Sequence, residues 1–133
     1  MGNSIFKTIL LVDDDQVSNF INKHLLEKME IAEEVKVVSN GQAGLSYLEE
    51  YYNRHNLYPD LILLDINMSV MDGKEFLKEF NAFEHKEVSA VRIGILTVSS
   101  RLDDKIEAAC HGAEWFLNKP LTKEKMLQII KSL

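Results

Sequence analysis

The sequence predicts an α/β fold, a parallel β-sheet wrapped by helices. Three observations carry this. Five short apolar runs punctuate the chain, at 9–12, 35–38, 61–64, 93–96 and, more weakly, 115–117. Three of them, ILLV, LILL and IGIL, hold no polar side chain, the pattern of strands covered on both faces. After each run, apolar residues recur three or four apart, so strand and helix alternate five times. That alternation implies a parallel sheet with helical crossovers.

The elements follow in order. After the first run, Asp15 is placed to cap a helix whose stripe is Val17, Ile21, Leu25 and Met29, with Phe20 beside it. After the second run and Ser39-Asn40-Gly41, a helix carries Ala43, Tyr47, Leu48, Tyr51 and Tyr52. The third run leads to a stripe of Phe76, Leu77, Phe80 and Phe83. The fourth leads to Ile106, Ala109, Cys110 and Ala113. After the fifth, Thr122 is placed to cap a helix carrying Met126, Ile129, Ile130 and Leu133. Each stripe is expected to face the sheet, which makes Cys110 a core thiol.

Composition limits what such a fold does. A chain of 133 residues fits one domain over 1–133, with no visible linker or repeat and no room for a second domain. A net charge of −6 argues against a sequence-independent nucleic-acid binder. The lone Cys110 excludes an internal disulfide and fits a reducing cytoplasm. No apolar run approaches membrane-spanning length. Gly2 is no acylation signal, because Phe6 stands where Ser or Thr is wanted.

Open parallel sheets bind ligands outside the carboxyl ends of their strands. Here the first strand ends in Asp13-Asp14-Asp15, the third in Asp65, the fourth in Thr97-Val98-Ser99-Ser100 and the fifth in Asn118-Lys119-Pro120. Taken singly, these are ordinary turn and cap residues. Together they place acids, a hydroxyl and a lysine on one rim. Clustered carboxylates repel, and a divalent cation resolves the repulsion; an all-oxygen set favours magnesium over zinc. A carboxylate in such a site can be phosphorylated, with metal and lysine offsetting the phosphoryl charge.

Four segments, ILLVDDD, LILLDINMSVMDG, ILTVSS and FLNKPLT, resemble the receiver domain of two-component response regulators, in order and at that family's spacing. The resemblance spans essentially the whole chain. It implies a flavodoxin-like, doubly wound sheet of five parallel strands in the order 2-1-3-4-5, with five helices. It implies Asp65 as phospho-acceptor. Asp13, Asp14, Asp65 and the backbone carbonyl of Asn67 would hold Mg2+. Thr97 would be the switch hydroxyl, Lys119 the phosphate-contacting lysine and Phe116 the rotating aromatic, and Lys119-Pro120 would be cis. A bacterial, cytoplasmic, stand-alone receiver is implied, a monomer or phosphorylation-dependent dimer that is not itself an enzyme. Its donor would be a histidine kinase or histidine phosphotransfer protein. Its output would be an unidentified protein, with no nucleic acid or membrane involved, reached through the fourth helix, fifth strand and fifth helix.

Some positions depart from the family. Ser69 replaces a frequent proline, so its loop is expected to be looser. Val98 replaces a small residue and is expected to narrow access to Asp65. Ser99 and Asn67 occupy positions that tune dephosphorylation in the family. A haloacid-dehalogenase-type phosphatase also places an Asp after an apolar strand, but wants a second Asp where this chain has Asn67. A phosphate-independent receiver-fold binding module would not need Asp13, Asp14, Asp65, Thr97 and Lys119 together. FMN binding lacks a phosphate loop after the first strand. His24, His55, His85 and His111 have no metal-ligand spacing. Trp115 reads as a packed or edge aromatic, and Arg101, Asp103, Asp104 and Lys105 as a solvated helix start.

Overall fold

A computed structural model describes residues 4–84 and 91–133. The strands are β1 (Phe6–Val12), β2 (Ala32–Val38), β3 (Leu61–Leu64), β4 (Arg92–Thr97) and β5 (Trp115–Asn118). The helices alternate with them: α1 (Gln16–Met29), α2 (Gly41–His55), α3 (Gly73–Asn81), α4 (Leu102–Cys110) and α5 (Lys123–Lys131). The strands are all parallel, in the order β2-β1-β3-β4-β5. All five apolar runs became strands, and the doubly wound order is the expected one.

Side chains alternate across the sheet with the period of two that a strand imposes. Leu10, Val12, Ile62, Leu64, Ile93 and Ile95 pack with Leu45 and Leu48 of α2, Phe76, Leu77 and Phe80 of α3, and Ala108 of α4. Ile9, Leu11, Leu61, Leu63 and Leu96 pack on the other side with Leu26 of α1 and with Met126 and Ile129 of α5. Two close approaches explain glycines. A Cβ on Gly44 would lie 2.9 Å from the Phe76 ring, and one on Gly73 would lie 2.5 Å from the Asp65 carbonyl oxygen. The start of α3 therefore rests directly on the backbone of residue 65.

Two helices are rotated from their expected faces. In α1, Val17, Phe20 and Ile21 are exposed by 67%, 75% and 52%, while Asn19, Asn22 and Leu26 are buried. Leu25 and Met29 reach the core only in part. The Asn19 side-chain amide donates to the Asp13 carbonyl at 2.7 Å, a buried acceptor beyond the strand ladder. Satisfying that group favours the observed rotation over the one that would bury Val17. In α4, Ala108 and Asp104 are buried, whereas Ile106, Ala109 and Cys110 are exposed. Cys110 is thus a surface thiol, not a core one. Leu133 likewise remains half exposed.

Candidate functional site

Register brings the rim together. Val12 pairs with Leu64, so the residues that follow them, Asp13 and Asp65, are neighbours. The Asp65 N–H donates to the Val12 carbonyl at 3.0 Å. Thr97 pairs with Asn118, and the Lys119 N–H donates to the Thr97 carbonyl at 2.8 Å. The Lys119-Pro120 peptide is cis. The Lys119 ammonium bridges the two acids, 2.7 Å from Asp13 Oδ2 and 3.0 Å from Asp65 Oδ2. Both carboxylates are about 5% exposed. The Asn67 N–H donates to Asp65 Oδ1 at 3.2 Å.

Burial pushes the Asp13 carboxyl above the ordinary range, and the nearby Asp65 charge adds to this; Lys119 and the Asp15 N–H oppose it. Burial pulls the Lys119 ammonium down, but its bonds to Asp13 and Asp65 outweigh that and leave it raised. The two acids therefore share one cation, which leaves a net negative charge between them. Among the described residues no three His, Cys, Asp or Glu side chains form a metal cage. A hard divalent ion such as magnesium does not need one. It keeps several waters and binds through one or two carboxylates. Asp13 and Asp65, with the acid character of Asp13 strained by burial, fit that donor set.

Asp14 is not in the pair bridged by Lys119. Its Oδ2 accepts from the Ser69 N–H at 3.0 Å and the Ser69 hydroxyl at 3.1 Å. A proline at position 69 could offer neither donor. The expected loosening of this loop thus has a counterweight, a tether from the loop between β1 and α1 to the segment after Asp65. The next residue, Val70, holds φ of 70° and is 93% exposed.

Thr97 is fully buried, and its Oγ1 accepts from the Ser99 N–H at 3.3 Å. The Ser99 hydroxyl donates to Asp104 Oδ2 at 2.6 Å, and Lys74 of α3 sits 2.6 Å from Asp104 Oδ1. Asp104 is therefore no part of a solvated helix start, although Arg101 and Asp103 do form an exposed ion pair. Lys74 and Ser99 together hold its carboxyl below the ordinary range. No sequence spacing marks Lys74 and Asp104 as partners, because they lie on different helices. Phe116 is half buried, packed against the α2–α3–α4 side of the core. Val98 points to solvent, 71% exposed.

The other candidates stay apart from the rim. His24 and His55 are exposed, His111 bonds the Glu107 carbonyl, and His85 lies outside the described residues, as does Gly2. Trp115 packs in part against the α1–α5 side, under Arg92. Asp15 caps α1 and Thr122 caps α5, as expected.

A family model, the response regulator receiver domain, matches residues 9–131. The chain belongs to this family. The receiver is 34% identical over 130 residues to the nitrate/nitrite response regulator protein NarL of Escherichia coli, covering 98% of this chain and 56% of NarL. It thus spans little more than half the length of that relative. It is 31% identical over 125 residues to response regulator Rcp1 of Synechocystis sp., covering 92% of this chain and 80% of Rcp1. A crystal structure of a two-component response regulator from Cytophaga hutchinsonii superposes with a TM-score of 0.86 at 26% identity, covering 96% of each chain. The Mn(2+)-bound form of Rcp1 superposes with a TM-score of 0.72 at 27% identity, covering 95% of this chain and 90% of that one. No helix among the described residues of the receiver is long and apolar enough to cross a membrane.

Proposed function

We propose that this receiver accepts a phosphoryl group on Asp65 and passes the change to a protein-binding surface. The observation that carries this is the Lys119 ammonium bridging Asp13 and Asp65 at the carboxyl end of the sheet. An Asp65 carboxylate oxygen attacks phosphorus. The bond from phosphorus to the donor's imidazole nitrogen breaks, and its electron pair leaves with the imidazole. Lys119 stays beside the phosphoryl oxygens and offsets their charge. Asp13, Asp65 and the Asn67 carbonyl would hold Mg2+, with Asp14 alongside once its Ser69 bonds yield; the ion supplies further charge neutralisation when bound. The Mn(2+)-bound form of Rcp1 is in keeping with a divalent ion here. Thr97 then donates its hydroxyl proton to a phosphoryl oxygen, and Phe116 repacks, a population shift between two arrangements. Water later attacks the acyl phosphate, releasing inorganic phosphate and restoring the Asp65 carboxylate.

The partners follow from exposed surface. Val17, Phe20 and Ile21 of α1 lie exposed directly after the Asp13-Asp14-Asp15 rim. An apolar helical face beside the phospho-acceptor suits a histidine kinase or histidine phosphotransfer protein as donor. Leu102 and Ile106 are exposed on α4, next to the Thr97 loop, and suit a downstream protein target.

The test is intact mass after incubation with magnesium and a small acyl-phosphate donor. A single labile phosphoryl adduct is expected, absent in Asp65→Asn and without metal. An equally phosphorylated Asp65→Asn protein would refute the assignment of Asp65.

A further inference from the structure

Behind the carboxylate pair, a chain of polar contacts joins two helices to the Thr97 hydroxyl. We propose that Lys74, Asp104 and Ser99 form a positioning relay that aims the Thr97 hydroxyl proton at a phosphoryl group on Asp65. This deepens the phospho-acceptor role proposed above and rests on it.

The geometry begins at Thr97. Its Oγ1 accepts from the Ser99 N–H at 3.3 Å. A hydroxyl whose lone pair is occupied in this way must direct its own proton elsewhere. The group is fully buried, so water does not compete for that proton. What matters is that the Ser99 N–H stays in place, and Ser99 is held three ways. Its hydroxyl donates to Asp104 Oδ2 at 2.6 Å, its Oγ accepts from the Arg101 N–H at 3.3 Å, and its carbonyl accepts from the Asn118 side chain at 3.0 Å.

Asp104 is the hub. It is 7% exposed, and each carboxylate oxygen has a partner, Ser99 on one and the Lys74 ammonium on the other at 2.6 Å. A mostly buried carboxylate needs both partners to remain charged and in place. Lys74 in turn follows Gly73, whose N–H donates to the Ile66 carbonyl at 2.8 Å and where a Cβ would lie 2.5 Å from the Asp65 carbonyl oxygen. One end of the relay is thus fixed to the backbone of the acceptor and the other to the hydroxyl that must meet it. Glu107 lies 3.4 Å from Lys74, a longer second contact that cannot replace Asp104 at Ser99. The N-cap residue of α4, Arg101, makes no side-chain cap hydrogen bond of its own.

The experiment compares beryllofluoride affinity, with magnesium present, for wild type, Lys74→Met and Lys74→Arg, each in Thr97 and Thr97→Ala backgrounds. Lys74→Met is expected to weaken binding roughly three- to tenfold, the size of one lost polar contact. Lys74→Arg restores most of it. In the Thr97→Ala background Lys74→Met has no further effect, because the group it positions is gone. Ser99→Ala, which keeps its N–H but loses the bond to Asp104, is expected to follow Lys74→Met. Equal losses in both backgrounds would make the contact a mere tie between α3 and α4 and overturn the relay. Wild-type binding with no loss in Lys74→Met would overturn it alone. A wild-type protein that binds no beryllofluoride would overturn the phospho-acceptor role and the relay with it.

Discussion

Val70 is a β-branched residue at φ of 70°, a backbone region that costs an L side chain on the order of 1–2 kcal/mol. It gains no packing in return, being 93% exposed. The Asp14–Ser69 bonds hold the turn beside it. Val70→Gly is therefore expected to stabilise the fold by roughly 1 kcal/mol, less the backbone entropy that glycine adds to the unfolded chain. An unchanged or lowered urea midpoint would show that the turn carries no such cost. Asp104 makes a separate prediction at this scale. Lys74 and then Ser99 hold its carboxyl below the ordinary 3.8. Its contribution is therefore present above that ordinary value and is lost as pH falls through the lowered one. Lys74→Met should flatten the acid limb of stability against pH, by a modest amount because Lys74 is partly exposed. Identical acid limbs would contradict the ion pair.

At the scale of elements, α1 separates two ways in which the proposed phospho-acceptor Asp65 would be loaded. Its exposed Val17, Phe20 and Ile21 border the rim, where the Val17 N–H donates to Asp15 Oδ1 at 3.1 Å. Phe20→Ser is expected to slow phosphotransfer from a protein donor about tenfold or more, as loss of an aromatic anchor does. Phosphorylation by a small acyl phosphate should be unchanged. A parallel loss with both donors would place Phe20 in the fold or the chemistry instead of the interface. The strands were readable because a buried strand needs an unbroken apolar run, and LILL and ILLV can be little else. The helices were readable as helices, but their faces were not. The stripes through Val17 and Ile106 satisfy helical period as well as the faces that are buried. In α1 the Asp13 carbonyl needed Asn19, and in α4 the Ser99 hydroxyl and Lys74 needed Asp104.

For the whole molecule, the shared Lys119 leaves Asp13 and Asp65 short of positive charge, so a divalent ion should stabilise the native state by mass action. Magnesium at ten times its dissociation constant is expected to add about 1.4 kcal/mol, read as a rise in Tm. The rise should vanish in Asp65→Asn. A rise of equal size in that variant would move the ion elsewhere.

The sequence by itself determined the strands, the alternation and which residues stand at the strand ends, Asp13, Asp14, Asp65, Thr97 and Lys119, because each depends on residues adjacent in the chain and on periods of two and about 3.6; strand register then brought those ends together. It also fixed the local caps at Asp15 and Thr122. Only the tertiary structure decided which side of α1 and α4 is buried, that Cys110 is exposed, that Ser69 tethers Asp14, and that Lys74 of α3 meets Asp104 of α4. Those depend on how each helix is rotated and set against the sheet, and the rotation is chosen by polar partners outside the helix that leave no periodic trace in the sequence.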